Sequence, residues 1–231
     1  MRSQKQIMFL ITSANDFYFV VKVTAIVLIV SLCFIAPSFA SANPEELLAK
    51  EAPPLAKLLK TYSSHRLVLE NYAKNQGFTL PFEHLATVVH ELIHVDSAAH
   101  KAFWINDQDY LKPYVTEPQL WPSMTNADIL PYLSSGPIAN QYARNTPKNT
   151  LANCIDEINA YTHVMGFVST HEPASASKQI AALEGHMDMV NVYLYELRKQ
   201  NKQLTPAALE TVNRVLNYGK RALVFAEGAT K

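Results

Sequence analysis

Residues 90–94 read His90-Glu91-Leu92-Ile93-His94, two histidines four positions apart with a glutamate beside the first. On a helix, positions i and i+4 share one face, so both imidazoles can reach a single zinc ion. Glu91, next to His90, can take a proton from a zinc-bound water instead of ligating the metal. Leu85, Val88, Val89, Leu92 and Ile93 supply apolar faces around this polar triplet, as a buried helix requires. Burying two imidazoles and a carboxylate there is costly without a partner such as a metal. The bland alternative is a solvent-facing polar stripe on an amphipathic helix.

A catalytic zinc needs three protein ligands and one open position, and two residues compete to be the third. The first is Glu157, in Asn153-Cys154-Ile155-Asp156-Glu157-Ile158-Asn159-Ala160-Tyr161. Helical spacing puts Asn153, Glu157 and Tyr161 on one polar stripe, and the small Ala160 lets this helix approach the first closely. The second is His100, six residues after His94.

With Glu157, the pattern resembles the gluzincin metallopeptidases, in which H-E-x-x-H is joined by a glutamate on a downstream helix. The resemblance spans the two helices only. It implies His90, His94 and Glu157 as ligands, Glu91 as base, and a polarised water attacking a peptide carbonyl. Many gluzincins carry an aspartate four residues after the ligand glutamate; here that place is Tyr161, whose hydroxyl suits donation to a developing oxyanion. Orientation of a ligand imidazole then falls to Asp96, Asp156 or Asn153. No sheet with an edge strand for the substrate is evident.

With His100, the run His90-Glu91-x-x-His94-x-x-Ser97-x-x-His100 resembles the metzincin pattern, with serine where that pattern has glycine. The glycine lets the chain leave the helix so that the third histidine returns to the metal. Ser97-Ala98-Ala99 reads as continuing helix, which rotates His100 by about 240° from His94. The methionine turn of that family is absent as well.

His65, His84, His163, His171 and His186 are scattered, and a lone histidine is ordinarily a surface or hydrogen-bonded residue. His163, two past Tyr161, is the one placed to turn into a cleft as an oxyanion donor. Met187, Val190, Tyr193, Leu194 and Leu197 form a core stripe. Trp104, Trp121 and the tyrosines from Tyr110 to Tyr142 either line a substrate groove or pack a long connection onto the helices. Neither a serine or cysteine nucleophile arrangement nor a phosphate-cradling glycine loop is present.

The elements that must position these groups read as helices. Asn43-Pro44-Glu45-Glu46 gives a cap, an N1 proline and an acidic first turn. Helical spacing predicts Leu55–Lys74 after Pro53-Pro54, then Phe82–Phe103, Asn149–Ser169, Ser175–Gln200, and Pro206–Ala226 capped by Thr205. Residues 104–147 hold six of the thirteen prolines and read as an irregular aromatic excursion with at most short helices. Tyr114-Val115-Thr116 or Leu67-Val68-Leu69 could pair briefly as strands. The fold class is mainly α: a helical zincin-like domain of an active-site helix and a glutamate helix, with little or no β-sheet.

Before this domain, Val23–Ala36 is a 14-residue apolar run preceded by Lys22 and closed by Pro37. Ser38-Phe39-Ala40 and Ala40-Ser41-Ala42 follow, completing a secretory signal peptide over residues 1–42 with cleavage after Ala40 or Ala42. Met8 is an alternative start. An uncleaved anchor would need roughly 20 apolar residues, and a lipoprotein signal a small residue where Leu32 precedes Cys33. Removing residues 1–42 leaves 17 basic against 19 acidic residues, all eight histidines and one cysteine, Cys154, which reads as a buried thiol.

Zero net charge over 231 residues argues against nucleic acid as a partner. Two cysteines exclude a disulfide scaffold or an all-thiolate zinc site, and a 48% hydrophobic composition excludes a disordered chain. The expectation is an exported, periplasmic or secreted Zn2+-dependent metallopeptidase that acts on a peptide or protein substrate without a stable membrane span. Its alternative is a secreted helical binding protein with a structural or inactive zinc site.

Overall fold

A computed structural model describes residues 43–133 and 143–229; the signal peptide expected over residues 1–42, and Tyr142, lie outside the described residues. Prolines open the first helices, α1 (Pro44–Glu51) and α2 (Pro53–Thr61), where a missing N–H leaves no hydrogen bond unmade. The single helix expected over Leu55–Lys74 is instead broken: α2 ends at Thr61, a 3-10 turn covers Ser63–His65, and α3 runs Arg66–Asn75. Tyr62 leaves helical geometry at φ −106°, and its hydroxyl donates to Asp96 Oδ1 at 2.8 Å. A contact thirty-four residues away thus sets the corner, and local periodicity does not report it. Leu67-Val68-Leu69, offered as a strand, lies within α3.

Helix α4 (Pro81–His100) starts on Pro81 and stops at Lys101, whose φ of 50° turns the chain back. The reversal makes a two-stranded antiparallel ladder, β1 (Phe103–Trp104) with β2 (Tyr110–Leu111), which is the only sheet among the described residues. Its turn is held by Asn106 Oδ1 accepting from the Gln108 N–H at 2.9 Å. The strands therefore fall on aromatic residues flanking an Asn-Asp turn, and not on Tyr114–Thr116. Among its described residues, the rest of the excursion includes a 3-10 turn (Pro118–Leu120), the single-turn α5 (Asn126–Ile129) and a second 3-10 turn (Leu130–Tyr132).

Three long helices complete the chain: α6 (Leu151–His171), α7 (Pro173–Lys199) and α8 (Pro206–Ala229). Thr150 and Asn153 form a capping box at the start of α6. Thr205 caps α8, its hydroxyl accepting from the Ala208 N–H at 3.2 Å. The architecture is mainly helical, with α6 at its centre packed on α4, α7 and α8.

Two apolar clusters meet at α6. Ile155, Ile158 and Met165 join Met187, Val190, Tyr193 and Leu197 of α7 and Val212 and Val215 of α8. Ala160, Val164 and Val168 join Val89, Leu92 and Ile93 of α4. Ala160 is fully buried where α6 faces α4, and a larger side chain there would force the helices apart. Gly219 does the same for α8: a Cβ would stand 3.2 Å from Ile158 Cγ2 and 3.3 Å from Met187 Sδ.

Candidate metal centre

The α4–α6 contact brings His90, His94 and Glu157 together; their donor atoms lie within 4.8 Å of one another, the only such group found among the described residues. His90 Nε2 is 3.1 Å from His94 Nε2 and 3.4 Å from Glu157 Oε2. His94 Nε2 is 3.8 Å from the same oxygen. Ligands at zinc–nitrogen and zinc–oxygen distances of about 2.0–2.2 Å in a tetrahedron stand roughly 3.3–3.5 Å apart, so these three donors fit a zinc ion.

Asp156, next to Glu157, orients the His94 ring. Its Oδ2 is 2.7 Å from His94 Nδ1. A carboxylate accepts, so Nδ1 donates to Asp156 and Nε2 faces His90 and Glu157. Tyr114 donates to the same Oδ2 at 3.2 Å. Of the three groups considered for orienting a ligand, Asp156 is in this place. Asn153 is committed to the helix cap, and Asp96 accepts from Tyr62 and Tyr110, each at 2.8 Å.

Burial alone would push the Glu157 carboxyl up, but its hydrogen bond to His90 and the charges of His90 and His94 hold it at about 2. Burial opposes a charge on His94, yet the Asp156 hydrogen bond, with Asp156, Glu157 and Glu91, raises it to about 9.

One side of the donor group opens on a cleft of about 510 Å³. Glu91, Glu157, Tyr161 and His90 line it, and so do Tyr72 and Phe78 across from them. The Tyr161 ring meets the His90 ring edge-on, centroids 4.4 Å apart. Burial, then Glu157 and Glu91, raises the Tyr161 phenol well above its ordinary value, so it remains a neutral O–H donor beside the donor group.

His100 is not part of the group. Its Nδ1 meets the Asp96 carbonyl at 3.0 Å and Asp96 Oδ2 at 3.3 Å, and its ring lies 4.5 Å from that of Tyr110. Helix α4 continues through Ser97 to His100, so the imidazole is carried to another face. His163 does not line the cleft; its ring packs edge-on to Trp104 at 4.8 Å. Trp104, Tyr114 and Trp121 are buried and do not line the cleft. They brace the site from behind: the Trp104 carbonyl accepts from Asn159 and the Tyr114 carbonyl from the Trp121 indole.

Three cleft residues carried no sequence signal of their own. His186 of α7, almost fully buried, stacks on Tyr161 with ring centroids 5.8 Å apart. Burial, with the charges of His90 and His94 against that of Glu157, holds it at about 4, so it is neutral. Tyr72 and Gln179 come from α3 and α7. Each sits in an ordinary amphipathic pattern, and only the packing of its helix brings it to the cleft.

Comparison with protein-family models, curated protein sequences and solved structures returned no match. Among the described residues, no helix is long and apolar enough to cross a membrane.

Proposed function

We propose that the chain is an exported zinc metallopeptidase of gluzincin type that hydrolyses peptide bonds. One observation carries the reading: His90, His94 and Glu157 converge at the wall of a cleft that Glu91 and Tyr161 also line. A structural zinc site is closed by four protein ligands, whereas a three-donor group whose His90 and Glu157 line a cleft leaves room for water and substrate. The leader-like residues 1–42 support export.

Zinc held by His90, His94 and Glu157 would supply Lewis acidity, making a water nucleophilic near neutral pH and polarising the carbonyl it attacks. Glu91 accepts the proton of the attacking water and passes it to the departing amine. Tyr161, kept as a neutral phenol, donates to the oxygen on which charge develops. Asp156 positions His94 through Nδ1 and does not line the cleft.

The test compares the zinc-loaded chain with Glu91→Gln on a mixed peptide library read by mass spectrometry. The expected result is cleavage by the wild type and a loss of about 100-fold or more in the variant, with its zinc retained. Retained zinc without cleavage in the wild type would favour the binding-protein alternative, and equal cleavage by both would remove Glu91 as the base.

A further inference from the structure

Three helices wall the cleft, and each contributes a small or apolar residue about one turn from His90, Tyr161 or His186. Ala86 stands four residues before His90, Ala182 four before His186, and Val164 three after Tyr161. All three line the cleft. At a rise of about 1.5 Å per residue, each stands roughly 4.5–6 Å along its helix from His90, His186 or Tyr161. Their exposures of 1%, 7% and 2% show walls packed firmly from behind. Alanine at two of the three positions leaves the space.

Gln179 lies one further turn along α7, about 10 Å from His186. It lines the same cleft, is 6% exposed, and its Oε1 has no hydrogen-bond partner. Lys178 beside it is exposed and faces the buried Glu83 carboxylate at 3.8 Å, so the outer end offers a balanced pair and selects no charge.

We propose that this is the pocket for one substrate side chain flanking the cleaved bond, and that it takes a bulky aromatic residue with a hydroxyl tip: tyrosine before phenylalanine. The assignment rests on the zinc-peptidase reading. The ring of Ala86, Val164 and Ala182 offers an apolar sleeve for the aromatic ring. A side-chain amide both donates and accepts, as does a phenol, so a tyrosyl hydroxyl satisfies Gln179 in either orientation of its amide. A short aliphatic side chain leaves Gln179 bare, and a charged one brings an unpaired charge into the sleeve.

Amino-acid hydroxamates test this without hydrolysis, because each joins a zinc-chelating head to one side chain. Calorimetry on the zinc-loaded chain should find tyrosine hydroxamate bound about tenfold or more tighter than glycine hydroxamate, with phenylalanine hydroxamate between them. Gln179→Leu should bring tyrosine to or below phenylalanine, and Ala182→Phe should bring the tyrosine-to-glycine ratio to about one by filling the sleeve. The wild-type ratios decide the matter alone should either variant fail to fold. Equal binding of tyrosine and glycine hydroxamates overturns the pocket while leaving the metal site standing, and phenylalanine equalling tyrosine overturns the role of Gln179. Failure of every hydroxamate to bind a zinc-loaded chain overturns the peptidase reading and the pocket with it.

Discussion

Asp156 is the residue on which the donor group most depends without belonging to it. A partner that fixes the tautomer of a metal-ligating histidine is worth about 10–100-fold in metal affinity. Asp156→Asn should therefore weaken zinc binding by that amount, read by competition with a chelating dye, while the helical circular dichroism is kept. Unchanged affinity would show that the 2.7 Å contact to His94 does not orient the ring. At this scale the sequence was legible where spacing and geometry coincide. Histidines four apart are ligand spacing and helical spacing at once, and Glu157 lies on a polar stripe with Tyr161. Asp156 stood equal with Asp96 and Asn153, because only the packing of α4 on α6 decides which of them meets His94.

At the scale of elements, the site is a property of the α4–α6 contact. Ala160 sets that contact, and Ala160→Leu should cost about 1–3 kcal/mol by overpacking and weaken zinc binding as the ligand helices separate. Thermal unfolding and a zinc titration on the same preparation check both halves. Gly219→Val probes the other face of α6, where a Cβ already meets Ile158 and Met187. It should destabilise by a similar amount, about 1–3 kcal/mol, with little effect on zinc. The long helices were legible from apolar periodicity and from proline and threonine caps. The break at Tyr62 and the β1–β2 pair were not. Each is fixed by a tertiary contact or by two residues per strand, too few to show a period. The aromatic excursion was legible as irregular, but whether it lined a groove or braced the site depended on where α6 lay beneath it.

For the whole molecule, three histidines, His186 buried and His94 and His163 half-buried, make stability depend on pH with opposite signs. His94, raised to about 9 in the metal-free chain, contributes stability that is complete below its unfolded value of about 6.5 and is lost as pH rises through about 9. Burial holds His163 and His186 at about 4. Their contribution is present above about 6.5 and is lost as pH falls toward 4. The Tm of the zinc-free chain should thus be highest near neutrality and fall on both sides. Zinc displaces the His94 proton, so its affinity should rise with pH up to about 9, and saturating zinc should abolish the alkaline fall in Tm. A flat Tm between pH 4 and 9 would contradict these assignments.

The claim beneath all of this is that His90, His94 and Glu157 together hold one zinc ion. Elemental analysis of the purified chain beside two variants tests it most directly. About one zinc per chain is expected in the wild type and in His100→Ala, and none retained through dialysis in Glu157→Ala. No zinc in the wild type, or zinc kept by Glu157→Ala and lost by His100→Ala, would contradict it.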